Sequence, residues 1–500
     1  MISVQRSIFF SAVERYASLL LFFFSTAILS RLLTPKEFGV YAVVSAITSV
    51  FSASSQEFGG TSYLIQKPSL STEHTRTAFT ISLCLSVAIG IGLCLLGEVL
   101  GTMFGADGLS VGIAVAALNF AITPFSMTTM ALLRRNMQFD IIAAGNLAGN
   151  FATAVVSIAL ALMGYSYLAP IWGMVVGSIV LGVFLIGKYG DLRIFRPSLA
   201  GYPEIVRFGL YSSSVVLINV FYNSAPQLFL ARVLDFAAVG LYSRAVNVTQ
   251  VFDKLVIQVI SPVIMPAICA QTHAGKDLKR TYLHAISLLT VLHWPFLIVM
   301  ATMAKPIIYV WLGPSWLEVV PLVRILCIAY LSLFAACLTY PVLVAAGSVR
   351  DALVSSLISL PPSLLAIFAA SFLGVEAVAM SALLTLPFQA AVAIHFVGRH
   401  LNLNFVDVVL ATKKSGIVTV CSGTTIAICA SVIDSGVIGA VPGIFVGFLA
   451  AAVAWLAAVF AVRHPLLAEV STPATQILSA VLHFVGLVPA TATRGERDFR

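Results

Sequence analysis

Charge is scarce in this chain. Asp, Glu, Lys and Arg make up 10% of its 500 residues, against about 25% in a soluble protein. That shortage excludes reading the length as about three soluble domains. Hydrophobic residues make up 60%, and mean hydropathy is +1.02. Alternating apolar and polar positions are missing too. The apolar runs far exceed the roughly 9–11 residues of a membrane strand, which excludes a closed barrel. No polar stretch is long enough for a soluble domain, which excludes a nucleotide-binding domain within these residues.

Chemistry-bearing motifs are equally sparse. Ala274-Gly275-Lys276-Asp277 lacks the earlier Gly and the following Ser or Thr of a phosphate loop, and no strand precedes it. There is no His-x-x-x-His zinc helix, and the string Gly108-Leu109-Ser110-Val111-Gly112 opens an apolar run rather than a strand-to-helix nucleophile elbow. The seven cysteines lie in or at the ends of apolar runs without paired spacing. They read as packing residues, with no disulfide frame and no metal-ligand set. No basic-aromatic segment supports nucleic-acid binding. Neither an enzyme nor a bound cofactor is expected. The apolar stretch Ala17–Ile28 runs into a full span with no cleavage region, so no cleaved signal is expected.

What is present is a run of membrane spans, each needing roughly 20 apolar residues. Fourteen are expected, over 11–33, 39–62, 77–101, 109–132, 141–164, 167–187, 208–231, 240–268, 282–303, 319–346, 352–373, 376–397, 415–434 and 442–463. The fold class is an all-α polytopic membrane protein. With the N-terminus cytoplasmic, 21 Lys and Arg fall on the inner side. Six fall on the outer side: Arg31, Lys36, Arg232, Arg244, Lys305 and Arg324. This asymmetry fixes the orientation, with both termini cytoplasmic, and accounts for most of the +8 net charge.

One segment occurs twice. Arg31-Leu32-Leu33 precedes Gly39-Val40-Tyr41, and 201 residues later Arg232-Val233-Leu234 precedes Gly240-Leu241-Tyr242. Five of the thirteen positions from Leu29 to Tyr41 are identical at that offset. In both copies an apolar helix ends at Arg, a short loop follows, and a helix begins near Gly-x-Tyr. The polar stretch Lys188–Arg207 divides the chain after six spans, so two parallel six-helix lobes are expected, with a substrate site between them. The expected divisions are an N-lobe over 1–187, a cytoplasmic linker over 188–207, a C-lobe over 208–397, two added helices over 398–463 and a cytoplasmic tail over 464–500. In the tail, Ile477–Val488 is expected on the inner surface and Arg494–Arg500 to be disordered. The outer loop Lys305–Glu318 carries Trp311 and Trp316, expected at the membrane interface.

The informative polar residues lie inside spans. Asp253 and Lys254 sit midway along the eighth, where charge is costly. Arg244 and Lys254 are ten residues apart, within about 80° of one helix face. With Asn247 and Gln250 nearby, they form a cationic stripe suited to phosphate or acidic sugars. Asn219, Asn223 and Gln227 stack at intervals of four on the seventh span, beside Tyr222 and Pro226. Amides there suit hydroxyl-rich ligands; ordinary interhelical bonding is the alternative. Arg31 and Arg232 could contact substrate or snorkel to headgroups. Glu57 and Asp253 are candidates for ion coupling or gating. Glu14-Arg15, His293 and His395 read as structural.

The run Ser30-Arg31-Leu32-Leu33-Thr34-Pro35-Lys36-Glu37-Phe38-Gly39-Val40-Tyr41 resembles the first outer loop of Wzx-like flippases. These form the polysaccharide transporter family of the multidrug/oligosaccharidyl-lipid/polysaccharide (MOP) superfamily. The second copy, Gly240-Leu241-Tyr242-Ser243-Arg244-Ala245, is similar to the colanic-acid and succinoglycan exporter branch. The resemblance covers the membrane region to about residue 460. It implies flipping of an undecaprenyl-diphosphate-linked oligosaccharide across a bacterial inner membrane, by alternating access of two lobes. The implied products are exopolysaccharide, capsule or lipopolysaccharide, and the implied partners are membrane lipids, a glycan polymerase and chain-length proteins. That branch often carries an acid in the seventh span, which Tyr222-Asn223-Ser224-Ala225-Pro226-Gln227 lacks, so a role for that acid does not transfer. A multidrug antiporter of the same fold is the alternative, and a glycan polymerase or ligase a weaker one. Reporter fusions after Gly374 and after Lys414 are expected to read outside and inside respectively; the reverse would overturn the orientation.

Overall fold

The structure, a computed structural model, describes residues 4–58, 61–67, 70–105, 107–257, 277–335, 339, 342–343, 348–435 and 439–469. The surface segment and the basic end expected in the tail lie outside the described residues, as do Cys269, Cys337 and Ala274–Lys276. Among the described residues there is no strand. The N-terminal helices are α1 Val4–Leu32, α2 Pro35–Phe58, α3 Thr61–Gln66, α4 Thr72–Phe104, α5 Asp107–Arg135, α6 Phe139–Leu162 and α7 Leu168–Tyr189. Then come α8 Tyr202–Val233, α9 Phe236–Thr249, α10 Leu278–Thr302, α11 Ala304–Trp311, α12 Val319–Tyr330, α13 Val349–Ser371, α14 Val375–Leu401, α15 Phe405–Asp434 and α16 Ala440–Ala461.

Ten segments within these helices are long and apolar enough to cross a membrane. Their outer surfaces agree with that solvent: Leu95, Leu384 and Phe445 are 75, 76 and 73% exposed, a pattern unsuited to water. The spans expected over 240–268 and 319–346 are interrupted. α9 stops at Thr249 and a π-helical turn follows over Asp253–Ile257, while α12 stops at Tyr330. Residues 258–276 lie outside the described residues. α15 begins at Phe405, ten residues before the expected 415. Asn404 and Asp407 form a reciprocal capping box there, a start signal that outweighs the apolar-run boundary.

Helices α1–α7 pack among themselves, chiefly as α6 on α7, α4 on α5 and α1 on α6. Small residues allow this closeness: Gly173 and Gly177 of α7 lie against Ser157 and Thr153 of α6. Helices α8–α16 form a second group, in which α10 packs on α15, α13 on α14 and α12 on α14. The stretch 188–207 is packed rather than loose. Phe195 stacks on Phe79 and Phe125 at 5.0 and 5.2 Å, and Thr77 donates to the Ala200 carbonyl at 2.9 Å.

The groups meet where α2 touches α8 and α9, and the duplicated motif builds this contact. In the first copy Thr34 and Glu37 form a capping box, with Pro35 at the first helical position. In the second, Asp235 caps α9 by accepting from the Ala238 N–H at 2.7 Å. Gly39 and Gly240 then sit at equivalent places, one turn in. A β-carbon on Gly39 would overlap the Phe236 carbonyl oxygen, and one on Gly240 the Pro35 carbonyl oxygen. Pro35 and Phe236 are themselves equivalent, so the contact is reciprocal, as across a two-fold axis.

This crossing lies at the Lys/Arg-poor end. The loop expected as an aromatic membrane anchor contributes instead to the contact between groups. Trp316 is fully buried and donates to the Ser30 carbonyl at 2.6 Å. Trp311 stacks on Phe23 at 4.9 Å and donates to its carbonyl. The indoles find apolar walls and backbone acceptors inside the protein, which satisfies both halves of their chemistry better than a lipid interface. At the opposite end, Lys67 pairs with Glu204 at 2.9 Å. The Lys67 ammonium is held above its usual value first by the Tyr63 hydroxyl and then by Glu204.

Gly240→Ala is expected to separate α2 from α9 and loosen the Lys/Arg-poor end. Crosslinking of Arg31→Cys to Val310→Cys by a short bifunctional thiol reagent, which replaces the reach of the Arg31 side chain that donates to the Val310 carbonyl at 2.8 Å, is expected to drop in that background. An undiminished yield would show that the crossing is not tight.

Candidate functional site

Two cavities of about 360 Å³ each flank α2 just below the crossing. The first is lined by Ser18, Phe22 and Ser25 of α1, Phe38 and Tyr41 of α2, Asn150 and Thr153 of α6, and Arg244 and Asn247 of α9. The second lies between α2, α8 and α9, lined by Ser45, Ser49, Asn223, Gln227, Ser243 and Asn247. Phe38, Tyr41 and Asn247 line both. The polar part of the walls is hydroxyls and amides, set among aromatic rings and apolar side chains such as Leu21, Leu29 and Met174 in the first cavity and Val220 in the second.

Arg244 dominates the first cavity. It is 3% exposed. Its guanidinium carbon lies 3.6 Å from the centre of the Phe38 ring and 5.3 Å from that of Trp316. Ring faces attract a desolvated cation by about 2 kcal/mol, but they accept no hydrogen bonds from its in-plane N–H groups. Nε and Nη2 have no hydrogen-bond partner among the described residues. Buried donors on a permanent cation are expensive to leave unmade, so an oxyanion is the ligand chemistry they fit. Lys254 adds a second cation: its Nζ lies 3.8 Å from the Phe22 ring centre and donates to Asn247 Oδ1 at 3.3 Å.

Of the residues singled out by sequence, Arg244, Lys254, Asn223 and Gln227 are brought together around α2. Others stand apart. Asn219 is exposed and lines neither cavity. Arg31 is exposed and donates to the Val310 carbonyl, bracing the Lys/Arg-poor end. Arg232 is exposed and lines neither cavity. Asp253 is half-buried and opens the π-helical turn beside Lys254. Glu57 lies in the last turn of α2, and its side chain is outside the described residues. Tyr222 turns to Gln389, accepting at 2.6 Å. Gln250 donates to Tyr330, Glu14 accepts from Ser18, and His293 is buried against Phe252. No group of three His, Cys, Asp or Glu able to hold a metal occurs among the described residues.

Sequence reasoning missed Phe38, Tyr41 and Phe22. A signal existed in the repeat. At the 201-residue offset Phe38 matches Val239, Arg244 matches Val43, Asn247 matches Ala46, Lys254 matches Ala53, and Asn223 matches Phe22. Apart from Tyr41, which matches Tyr242, these positions differ between the copies.

Residues 28–321 match a family model described as polysaccharide biosynthesis protein. Curated relatives include the succinoglycan biosynthesis transport protein ExoT of Rhizobium meliloti (strain 1021), 23% identical over 65% of this chain and 66% of its own length. The lipopolysaccharide biosynthesis protein WzxC of Escherichia coli (strain K12) is 23% identical over 60% of this chain and 61% of its own. A membrane protein of the Klebsiella pneumoniae cps region is 24% identical over 64% and 66%. The matches thus span slightly under two thirds of each relative. Among solved structures, the lipid II flippase MurJ in an inward closed conformation superposes with a TM-score of 0.70, at 10% identity, over 90% of this chain and 98% of that one. An inward-facing MATE family transporter of the MOP superfamily gives 0.63 at 15% identity, over 78% and 98%. These likenesses establish the fold.

The aromatic support of Arg244 leads to a pair of opposite effects. Phe38→Leu is expected to lower the unfolding temperature, because it strips a ring from a buried cation. Arg244→Met, which removes the charge but keeps much of the volume, is expected to leave it unchanged or raise it. In the Arg244→Met background the cost of Phe38→Leu is expected to shrink by about 2 kcal/mol. An equal cost in both backgrounds, read by thermal unfolding in detergent, would assign Phe38 to packing alone.

Proposed function

The chain belongs to the polysaccharide biosynthesis protein family, and from that premise we propose that it is a flippase for a lipid-linked oligosaccharide. The substrate is an undecaprenyl-diphosphate-linked repeat unit, moved from the inner to the outer leaflet of a bacterial inner membrane. Its products feed exopolysaccharide, capsule or lipopolysaccharide assembly. The observation that carries this reading is the unsatisfied, buried Arg244 guanidinium in a cavity whose walls include amides and hydroxyls. A diphosphate completes its hydrogen bonds as charge-assisted contacts, while Asn223, Gln227, Asn150 and the serines suit sugar hydroxyls. Similarity to ExoT, a succinoglycan biosynthesis transport protein, and to MurJ, a lipid II flippase, supports the same class.

Transport proceeds by alternating access. The α2–α9 crossing closes the Lys/Arg-poor end in this state, and separation of the two helix groups there opens the site to the other side. That end faces outward and both termini face the cytoplasm, as the Lys/Arg asymmetry requires. A glycan polymerase and chain-length proteins are the partners at the receiving leaflet. A multidrug antiporter drawing in cations fits less well, since Arg244 and Lys254 repel them. Asp253, at the head of a π-helical turn, and Glu57 are the carboxylates through which an ion gradient couples, a role typical of acids within spans.

Arg244→Ala is expected to lower flipping about tenfold or more by loss of charge-assisted contacts, with Lys254→Ala also lowering it. A leaflet assay for lipid-linked oligosaccharide, normalised to membrane abundance, reads this out. Normal export by both variants at wild-type abundance would sink the cationic site. Coupling is tested in liposomes carrying purified protein and substrate. Imposed proton or sodium gradients are expected to shift the final leaflet distribution, and Asp253→Asn to abolish the shift. A distribution indifferent to both gradients would leave facilitated, downhill flipping.

A further inference from the structure

A second set of cavities lies far from the transport site, on the Lys/Arg-rich end of the C-terminal helices. One groove of about 680 Å³ runs between α13 and α14, and another of about 420 Å³ lies on the other side of α14 against the start of α15. They share Ala391, His395 and Arg399, spaced by four residues and so forming one ridge along α14. The larger groove is apolar at its end toward the middle of the helices, at Ile358 and Phe388, and cationic at its mouth, at Arg350 and Arg399.

The lining carries two arginines against one carboxylate, Asp351, which accepts from His400 at 2.6 Å. Arg350 and Arg399 are exposed, and neither has an ion-pair partner among the described residues. The dimensions also carry information. Arg350 to Ile358 is about 12 Å along α13, and Phe388 to Arg399 about 16 Å along α14, at about 1.5 Å per residue. Half of the hydrocarbon core is about 15 Å. The groove therefore reaches from headgroup level through one leaflet, with its cations at the polar end.

We propose that these grooves bind an anionic phospholipid of the adjoining leaflet, its phosphate between Arg350 and Arg399 and its acyl chains on either side of the α14 ridge. A basic pocket between spanning helices on the Lys/Arg-rich side recognises acidic headgroups by charge and hydrogen bonding. A zwitterionic lipid brings its own ammonium to the same mouth and is repelled there. The site is separate from the Arg244 cavity and does not rest on the transport reading. Occupancy ties the ends of α13 and α14 to one leaflet.

Native mass spectrometry of the full chain in detergent tests this, with equimolar dioleoyl phosphatidylglycerol and dioleoyl phosphatidylcholine as probes. One phosphatidylglycerol per chain is expected to be retained, with a preference of about tenfold or more over phosphatidylcholine. The double variant Arg350→Gln/Arg399→Gln is expected to lose the preference, and Arg350→Lys/Arg399→Lys to keep part of it. Ala391→Trp, which fills the shared wall, is expected to reduce retention of both lipids. Equal retention of the two lipids by the wild-type chain would overturn the proposal without recourse to any variant. So would an unchanged preference in the double Gln variant, or retention of neither lipid, the outcome expected of a surface that serves a protein partner.

Discussion

Two backbones in contact, without side chains between them, organise this protein. Where α2 crosses α9, Gly39 faces the Phe236 carbonyl and Gly240 faces the Pro35 carbonyl. No hydrophobic force draws helices together within lipid, so close packing has to supply the attraction. Two glycines on equivalent turns allow that closeness. Around the crossing one buried cluster runs from Val43 and Ile113 through Leu230 and Val239 to Trp316 and Leu326, joining both helix groups. The indole of Trp316, bonded to the Ser30 carbonyl, and Arg31, bonded to the Val310 carbonyl, close over it.

The near two-fold symmetry of that contact ends at the cavities. The frame uses positions that are alike in both copies: the capping residues Thr34 and Asp235, then the two glycines. The cations of the site and the rings against them come from positions that are unlike. Phe38 from one copy supports Arg244 from the other, and Phe22 supports Lys254. Neither half could build this arrangement alone, because the cations come from α9 and the turn after it while the rings come from α1 and α2. A site assembled across the contact is necessarily taken apart when the contact opens, which is the physical requirement of alternating access.

A buried guanidinium without a carboxylate is destabilising in an empty protein. The aromatic faces offset part of that cost without using the N–H donors, so the donors stay available for a ligand. A carboxylate at the same place would satisfy Arg244 and leave it no free donors for an anion. The Lys/Arg-rich end follows the other rule. There Lys67 meets Glu204, Lys279 meets Asp407 and His400 meets Asp351, pairs exposed enough that each contributes little alone.

Much of the architecture was legible in the chain itself. Solvent, helical class, the doubled motif and the polar stripe on α9 follow from local composition and periodicity, which depend on near neighbours. Arg244, Lys254, Asn223 and Gln227 were visible because polar groups in apolar runs are conspicuous wherever they occur. The start of α15 was legible as well, in Asn404 and Asp407, though apolar-run boundaries obscured it. Tertiary structure alone decided that Arg31 braces helix α11 at a residue 279 positions away and that Trp316 is core rather than interface. It also decided that Phe38 faces a cation. Apolar and aromatic side chains look alike in sequence whether they meet lipid, another helix or a charge. Only the approach of α2 to α9, set by two glycines far apart in the chain, selects among those neighbours.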